Sequence, residues 1–306
     1  MKIVAVDHGN AQVKTCHRVF TSGLKVHQKL PSNGEYVKWN GKYYTLTNDR
    51  IPYQEDKTQS VEFFVLTLFA IGKELVYSRD YEKDMDLALS VGLPPEHMFD
   101  QDKMKAWGLY FTKEGRKVEF EYNGKTYSVN IRKVNVAPQG YSIVFLNRKM
   151  FEDLSKAYIV DIGGYTIDVL TLHNAKMDNS LIRSLDMGII TYYNKAINQV
   201  KTDTGIRIDE DIINDFLKTG KSPRADVTES LTIAFDEYCR SVVNKLSELG
   251  IDLRIHNVTF VGGGSTFLKN NLQKASEDSK SIHFISDIKA NALGYHAIMA
   301  AKLKRG

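Results

Sequence analysis

Three glycine-containing turns carry the residues best suited to chemistry. They are Asp7-His8-Gly9-Asn10 with Lys14 shortly after, Asp161-Ile162-Gly163-Gly164-Tyr165-Thr166 with Asp168 shortly after, and Gly262-Gly263-Gly264-Ser265-Thr266. Each follows a short apolar run, at 3–6, 158–160 and 258–261. A phosphate chain needs backbone N–H groups that can approach it without steric obstruction, which glycine turns provide, and carboxylates to hold the waters of its cation. Asp7 and Asp161 can supply such carboxylates from opposite sides of a cleft. A lone Asp-x-Gly turn most often does no more than begin a hairpin. Two of them followed by a glycine triplet form a set that points to phosphate.

The elements that must position these turns repeat. Strand, acidic turn and strand over residues 3–19 recur at 158–172, so Val6, Asp7, Gly9 and Val13 align with Val160, Asp161, Gly163 and Ile167 at an offset of about 154 residues. The chain therefore reads as a duplicated architecture with one acidic hairpin in each half. Segments 35–46 and 117–136 carry Asn40-Gly41 and Asn123-Gly124 inside β-rich sequence, a strong hairpin signal. Residues 60–79 show apolar spacing of three and four and predict a buried helix. Helices are predicted at 191–201, at 209–219 stopped by Gly220, and at 226–249 stopped by Gly250. The tail alternates strand 258–261, glycines 262–264, a helix from about Thr266, strand 281–285 and a last helix over 289–304, the mark of α/β architecture.

Composition narrows the function classes. With 306 residues, 42% hydrophobic and 25% charged, the chain can bury two cores and is far from the composition of disordered segments. Lys and Arg number 41 against 37 Asp and Glu, a formal net charge of +4, and the charges are interspersed, so no direct nucleic-acid binding is expected. Cys16 and Cys239 are the only cysteines and read as reduced structural thiols. No signal stretch opens the chain, and the apolar run 63–72 is about half of a bilayer span, so a cytoplasmic protein without membrane attachment is expected. The basic end Lys302-Leu303-Lys304-Arg305 reads as a solvated helix end.

The three turns together resemble the actin-like superfamily, and within it the ParM-like plasmid segregation ATPases. Asp7-His8-Gly9-Asn10 with Lys14 is similar to the first phosphate loop, residues 161–168 to the second, and Val261-Gly262-Gly263-Gly264-Ser265 to the adenosine loop. Val136-Ala137-Pro138-Gln139-Gly140 resembles the first interdomain connector, Asn291-Ala292-Leu293-Gly294 the start of the final helix, and Ser90-Val91-Gly92-Leu93-Pro94 a segment of bacterial and archaeal members. The resemblance implies an α/β actin-like fold of two related domains around a nucleotide cleft. The first would be 1–157, with phosphate loop 1, the strand-rich insertion and the connector. The second would be 158–306, with phosphate loop 2, a helical insertion and the adenosine loop, its final helix packing back toward the first.

By the same resemblance, Asp7 and Asp161 would hold Mg2+ through water, and Lys14 would reach the phosphates. Gly9, Asn10, Gly163, Gly164, Tyr165 and Thr166 would pinch them, and Gly262, Gly263, Gly264 and Ser265 would line the adenosine. Gln139 would orient the attacking water, where ParM-like chains often carry Glu. ATP is the expected cofactor, with GTP left open. His8 reads as a turn-filling residue, only the backbone N–H of Tyr165 is assigned to the site, and Asp168 is a secondary candidate. The implied function is an ATPase that polymerises head to tail and moves plasmid DNA through an adaptor protein at a centromere-like site. A small-molecule kinase or a regulatory ATPase of the same superfamily is the competing reading. A kinase needs a carboxylate base beside its acceptor hydroxyl, and Gln139 occupies the connector instead.

Overall fold

Apolar runs bounded by turn residues settle as strands buried on both faces when helices cover them, and such strands form the centre of each half of the chain. The computed structural model describes residues 1–112, 115–277 and 279–305, with the backbone alone at 179 and 180. Gly306, the end of the second expected domain, lies outside them. The chain divides by its contacts into one unit of 1–150 with 288–306 and another of 151–287. The segment after Asp287 thus belongs with the first unit.

In the first unit, β1 (Lys2–His8), β2 (Gln12–Lys14), β3 (Val19–Thr21), β4 (Leu24–His27), β5 (Tyr36–Trp39) and β6 (Lys42–Leu46) precede α1 (Glu62–Ser78). β7 (Met85–Leu93), α2 (Gln101–Tyr110), β8 (Lys117–Tyr122), β9 (Lys125–Pro138), α3 (Ser142–Leu146) and α4 (Arg148–Phe151) follow. Among the described residues the sheet runs β3-β2-β1-β7-β9-β8-β5-β6-β4. Both Asn-Gly hairpins form as expected, at β5–β6 and β8–β9, and Asn40 and Asn123 adopt left-handed backbone that asparagine tolerates best after glycine. α1 is buried almost throughout its first three turns. Phe63, Phe64, Leu66, Leu68, Phe69 and Ile71 are essentially inaccessible, and each such side chain contributes about 1.5–3 kcal/mol by leaving water.

In the second unit, β10 (Lys156–Ile162), β11 (Ile167–His173) and β12 (Lys176–Leu185) lead to α5 (Ile189–Thr204), α6 (Glu210–Thr219) and α7 (Ala225–Glu248). β13 (Val258–Val261), α8 (Gly263–Ala275) and β14 (Ile282–Phe284) complete it. α6 starts where Asp209 accepts from the Ile212 N–H at 3.1 Å and stops where the Gly220 N–H reaches the Phe216 carbonyl at 2.7 Å, satisfying groups that a helix end leaves orphaned. β12 has no Asn-Gly signal; its hairpin turns at Asn174-Ala175, both in left-handed backbone.

The second sheet runs β12-β11-β10-β13-β14. β10 is antiparallel to β11 and parallel to β13, as β1 is antiparallel to β2 and parallel to β7. The order β3-β2-β1-β7-β9 in the first sheet is its counterpart, so the duplication visible in two short motifs extends to five strands. The last helix, α9 (Ala290–Arg305), packs on β1, β7 and α3. The Lys302 ammonium donates to Asn135, whose amide donates to Ser90, whose hydroxyl donates to the Tyr295 carbonyl.

Candidate functional site

The first acidic turn is held by its own hairpin. Asp7 is 2% exposed and stands across the strands from Lys14, with Lys14 Nζ 3.5 Å from Asp7 Oδ2. Gln139 Nε2 donates to the other oxygen, Asp7 Oδ1, at 3.2 Å. Gly9 and Asn10 are half-buried at the tip. A Cβ at Gly9 would lie 2.6 Å from the Gln12 carbonyl oxygen and 3.2 Å from Lys14 Nζ, so a side chain there would crowd the lysine. Asp7, Gly9, Lys14 and Gln139 are thus brought together within the first unit, although Gln139 lies far along the chain.

His8 does more than fill the turn. It ends β1 with its ring wholly buried, stacked on Phe111 at 5.5 Å and edge-on to Trp107 at 5.5 Å. The Thr67 hydroxyl donates to the Phe63 carbonyl, so it accepts from His8 Nε2 at 2.7 Å. Burial, with a smaller push from Lys57, holds the imidazole down at a pKa of about 3, and the ring is neutral. Lys57 donates to the His8 carbonyl at 2.7 Å. His8 is therefore a core residue that anchors the loop from below.

The second turn has a more specific backbone arrangement. The N–H groups of Gly188, Ile189 and Ile190, at the start of α5, donate to the carbonyls of Tyr165, Gly163 and Gly164 at 2.8, 3.1 and 2.9 Å. In a trans peptide the carbonyl and the following N–H point in opposite directions, and no cis bond occurs among the described residues. With three successive carbonyls turned to α5, the N–H groups of Gly164, Tyr165 and Thr166 are turned away from it, a row of donors of the kind that cradles anions. Asp161 is 5% exposed beside this row. Asp168, its cross-strand partner, accepts from the Ser184 hydroxyl at 2.6 Å.

The third turn is shorter than expected. α8 begins at Gly263, not near Thr266, so Gly263 and Gly264 form its first turn and Gly262 alone links it to β13. Glycine's low helix propensity suggests a loop, but the opening turn of a helix leaves its N–H groups without intrahelical acceptors and tolerates glycine there. Gly262 has φ +84°, and a Cβ on it would lie 2.3 Å from Asp161 Oδ1. The Ser265 hydroxyl donates to the Gly262 carbonyl at 2.8 Å. Asp161, residues 163–166 and residues 262–265 are thus assembled within the second unit.

These features suit a nucleotide polyphosphate. In the first unit a lysine stands beside a buried carboxylate at a glycine that a Cβ would crowd. In the second, a row of backbone donors stands beside another buried carboxylate. Among the described residues no group of three His, Cys, Asp or Glu side chains is placed to hold a metal ion. No described helix is long and apolar enough to cross a membrane. Burial raises the thiols of Cys16 and Cys239 to about 12, in keeping with structural roles. Sequence reasoning missed Ser184 and Gly188. Neither lies in a recognisable motif, and only the β11–β12 pairing and the α5 start bring them to the loop.

Comparison with known proteins bears on the fold. Residues 5–141 match the family described as actin like proteins N terminal domain, and residues 159–274 match archaeal actin homologue MreB-like, C-terminal. None of the curated proteins matches. Among solved structures, an archaeal actin homologue in complex with ADP is 20% identical, with a TM-score of 0.78 and 100% of each chain covered. A 15-stranded ParM filament from Clostridium botulinum is 20% identical, with a TM-score of 0.76, 98% of this chain and 100% of that one. The actin-like protein Alp7A is 13% identical, with a TM-score of 0.75, 99% of this chain and 97% of that one. At these identities the neighbours establish the fold. With an actin-like family model matched along each half and the duplicated five-strand order behind both, the chain has the actin-like fold.

Proposed function

We propose that this chain is a Mg2+-dependent ATPase that assembles head to tail into filaments when nucleotide is bound. The observation that carries this reading is the donor row at Gly164, Tyr165 and Thr166, created by the seating of their neighbouring carbonyls on α5. Lys14 contacts the phosphates from the first hairpin together with Gly9 and Asn10, and residues 262–265 bound the adenosine. Mg2+ bound with the nucleotide would neutralise phosphate charge, and Asp7 and Asp161 would hold it through water.

Gln139 is the water-positioning residue. Its amide nitrogen is engaged by Asp7 Oδ1, which fixes the side chain and directs the amide oxygen to accept from the attacking water. A glutamine has no useful basicity near neutral pH, so its contribution is orientation. Repeating contacts related by a rotation that does not close generate an open filament. The ADP complex of one structural neighbour and the filament of another support nucleotide use and self-assembly here. The finer assignment is plasmid DNA segregation in the cytoplasm through a DNA-binding adaptor at a centromere-like site.

Light scattering and pelleting with Mg-ATP, Mg-ADP or no nucleotide, beside Asp161→Ala, test this reading. Nucleotide-dependent assembly that the variant loses or cannot reverse is the expected result. Hydrolysis without assembly over a wide protein concentration range would replace the filament with a kinase or regulatory ATPase.

A further inference from the structure

Gln139 lies between two backbone anchors. Behind it, its own N–H donates to the Leu93 carbonyl at the end of β7, at 3.0 Å. Ahead of it, the Gly140 N–H donates to Asn291 Oδ1 at 2.8 Å, and the Ser142 hydroxyl approaches the same oxygen at 3.3 Å. Asn291 is 7% exposed in the first turn of α9, and Ser142 is fully buried. Gly140 has φ +72°, where a single peptide rotation would redirect the residue before it. Gly294, one turn on, packs so closely that a Cβ would lie 2.5 Å from the Ser142 carbonyl oxygen, which keeps α9 against this connector.

We infer that Asn291 is a positioning residue: by holding the Gly140 N–H it fixes the connector turn that aims the Gln139 side chain at Asp7 and the reacting water. The inference rests on the water-positioning role of Gln139. The Asn291 side-chain oxygen serves two donors of one turn, more than is needed to begin a helix, and that turn directly follows the residue that touches Asp7. The chain passes into the second unit soon after α3 and returns shortly before Asn291. Asn291 therefore joins the outgoing and returning segments at Gly140, the neighbour of the residue that contacts Asp7.

Phosphate release under ATP saturation, at protein concentrations below the onset of scattering, tests this with a two-by-two set of variants. Asn291→Leu removes the acceptor at similar volume, and Asn291→Asp keeps an oxygen for the Gly140 N–H. We expect Asn291→Leu to lower kcat by about ten- to a hundredfold, with KM within about twofold of the parent. Asn291→Asp is expected to restore kcat to within about threefold. In a Gln139→Ala background, Asn291→Leu is expected to change kcat by less than about twofold, because residues acting through one another are not additive.

Multiplying effects in the double variant, or an Asn291→Leu protein with normal kcat, would overturn the positioning role while leaving that of Gln139 intact. A Gln139→Ala protein with parental kcat would remove both. If Asn291→Leu fails to fold, the Asn291→Asp and Gln139→Ala proteins and their double variant decide alone. Loss of kcat in Asn291→Asp while Gln139→Ala retains its own slower rate would then count against the proposal.

Discussion

Lys14 is the cross-strand partner of Asp7, its Nζ 3.5 Å from Asp7 Oδ2. At the same register of the second hairpin, Asp168 is the partner of Asp161. The duplicated scaffold thus carries a cation in one half where it carries an anion in the other. Under the proposed function, the phosphate-facing positive charge therefore sits on the first hairpin. Lys14→Met is predicted to weaken ATP binding by about ten- to a hundredfold, the range of a hydrogen bond between charged groups. Displacement of a fluorescent nucleotide would measure it. Unchanged affinity would confine Lys14 to neutralising Asp7.

Gly262 and Gly263 are adjacent yet should respond differently to alanine. At Gly262 the new Cβ would meet Asp161 Oδ1 at 2.3 Å in left-handed backbone, whereas at Gly263 nothing lies within 4 Å. Gly262→Ala is expected to cost about 1–3 kcal/mol or more in urea unfolding. Gly263→Ala should stay within about 0.5 kcal/mol of the parent. Equal costs would contradict the close approach of the third turn to Asp161.

Stability should fall on mild acidification because of His8. Its folded pKa of about 3 lies below its ordinary value of 6.5. Unfolded chains therefore bind the proton first: the contribution of His8 is complete above pH 6.5 and is lost as pH falls toward 3. The slope in that window is about 1.4 kcal/mol per pH unit from this residue. Urea midpoints from pH 7.5 to 5.5 should show it, and His8→Phe should flatten it. A parallel decline in both proteins would place the acid sensitivity elsewhere.

Magnesium binding should depend on nucleotide. Asp7 and Asp161 each act through water in the proposed site, and no described trio of ligating side chains exists to bind the ion directly. Titration calorimetry with MgCl2 on nucleotide-free protein should show no tight site, and addition of EDTA should stop phosphate release. A tight site without nucleotide would require direct carboxylate coordination.

Residue types and their spacing were enough to locate the three turns, the duplicated hairpin, both Asn-Gly hairpins and the helices that end at Gly220 and Gly250. Each of these depends on local chemistry: glycine and asparagine allow left-handed backbone, and apolar spacing records which face is buried. Tertiary structure alone decided that α8 starts at Gly263, that His8 is a core residue under the first loop, and that Asn291 meets Gly140. It also decided that the carbonyls of residues 163–165 turn to α5, leaving their neighbouring N–H groups directed away. A peptide's orientation and a side chain's partner depend on elements distant along the chain, and no local spacing encodes which distant acceptor or donor will arrive.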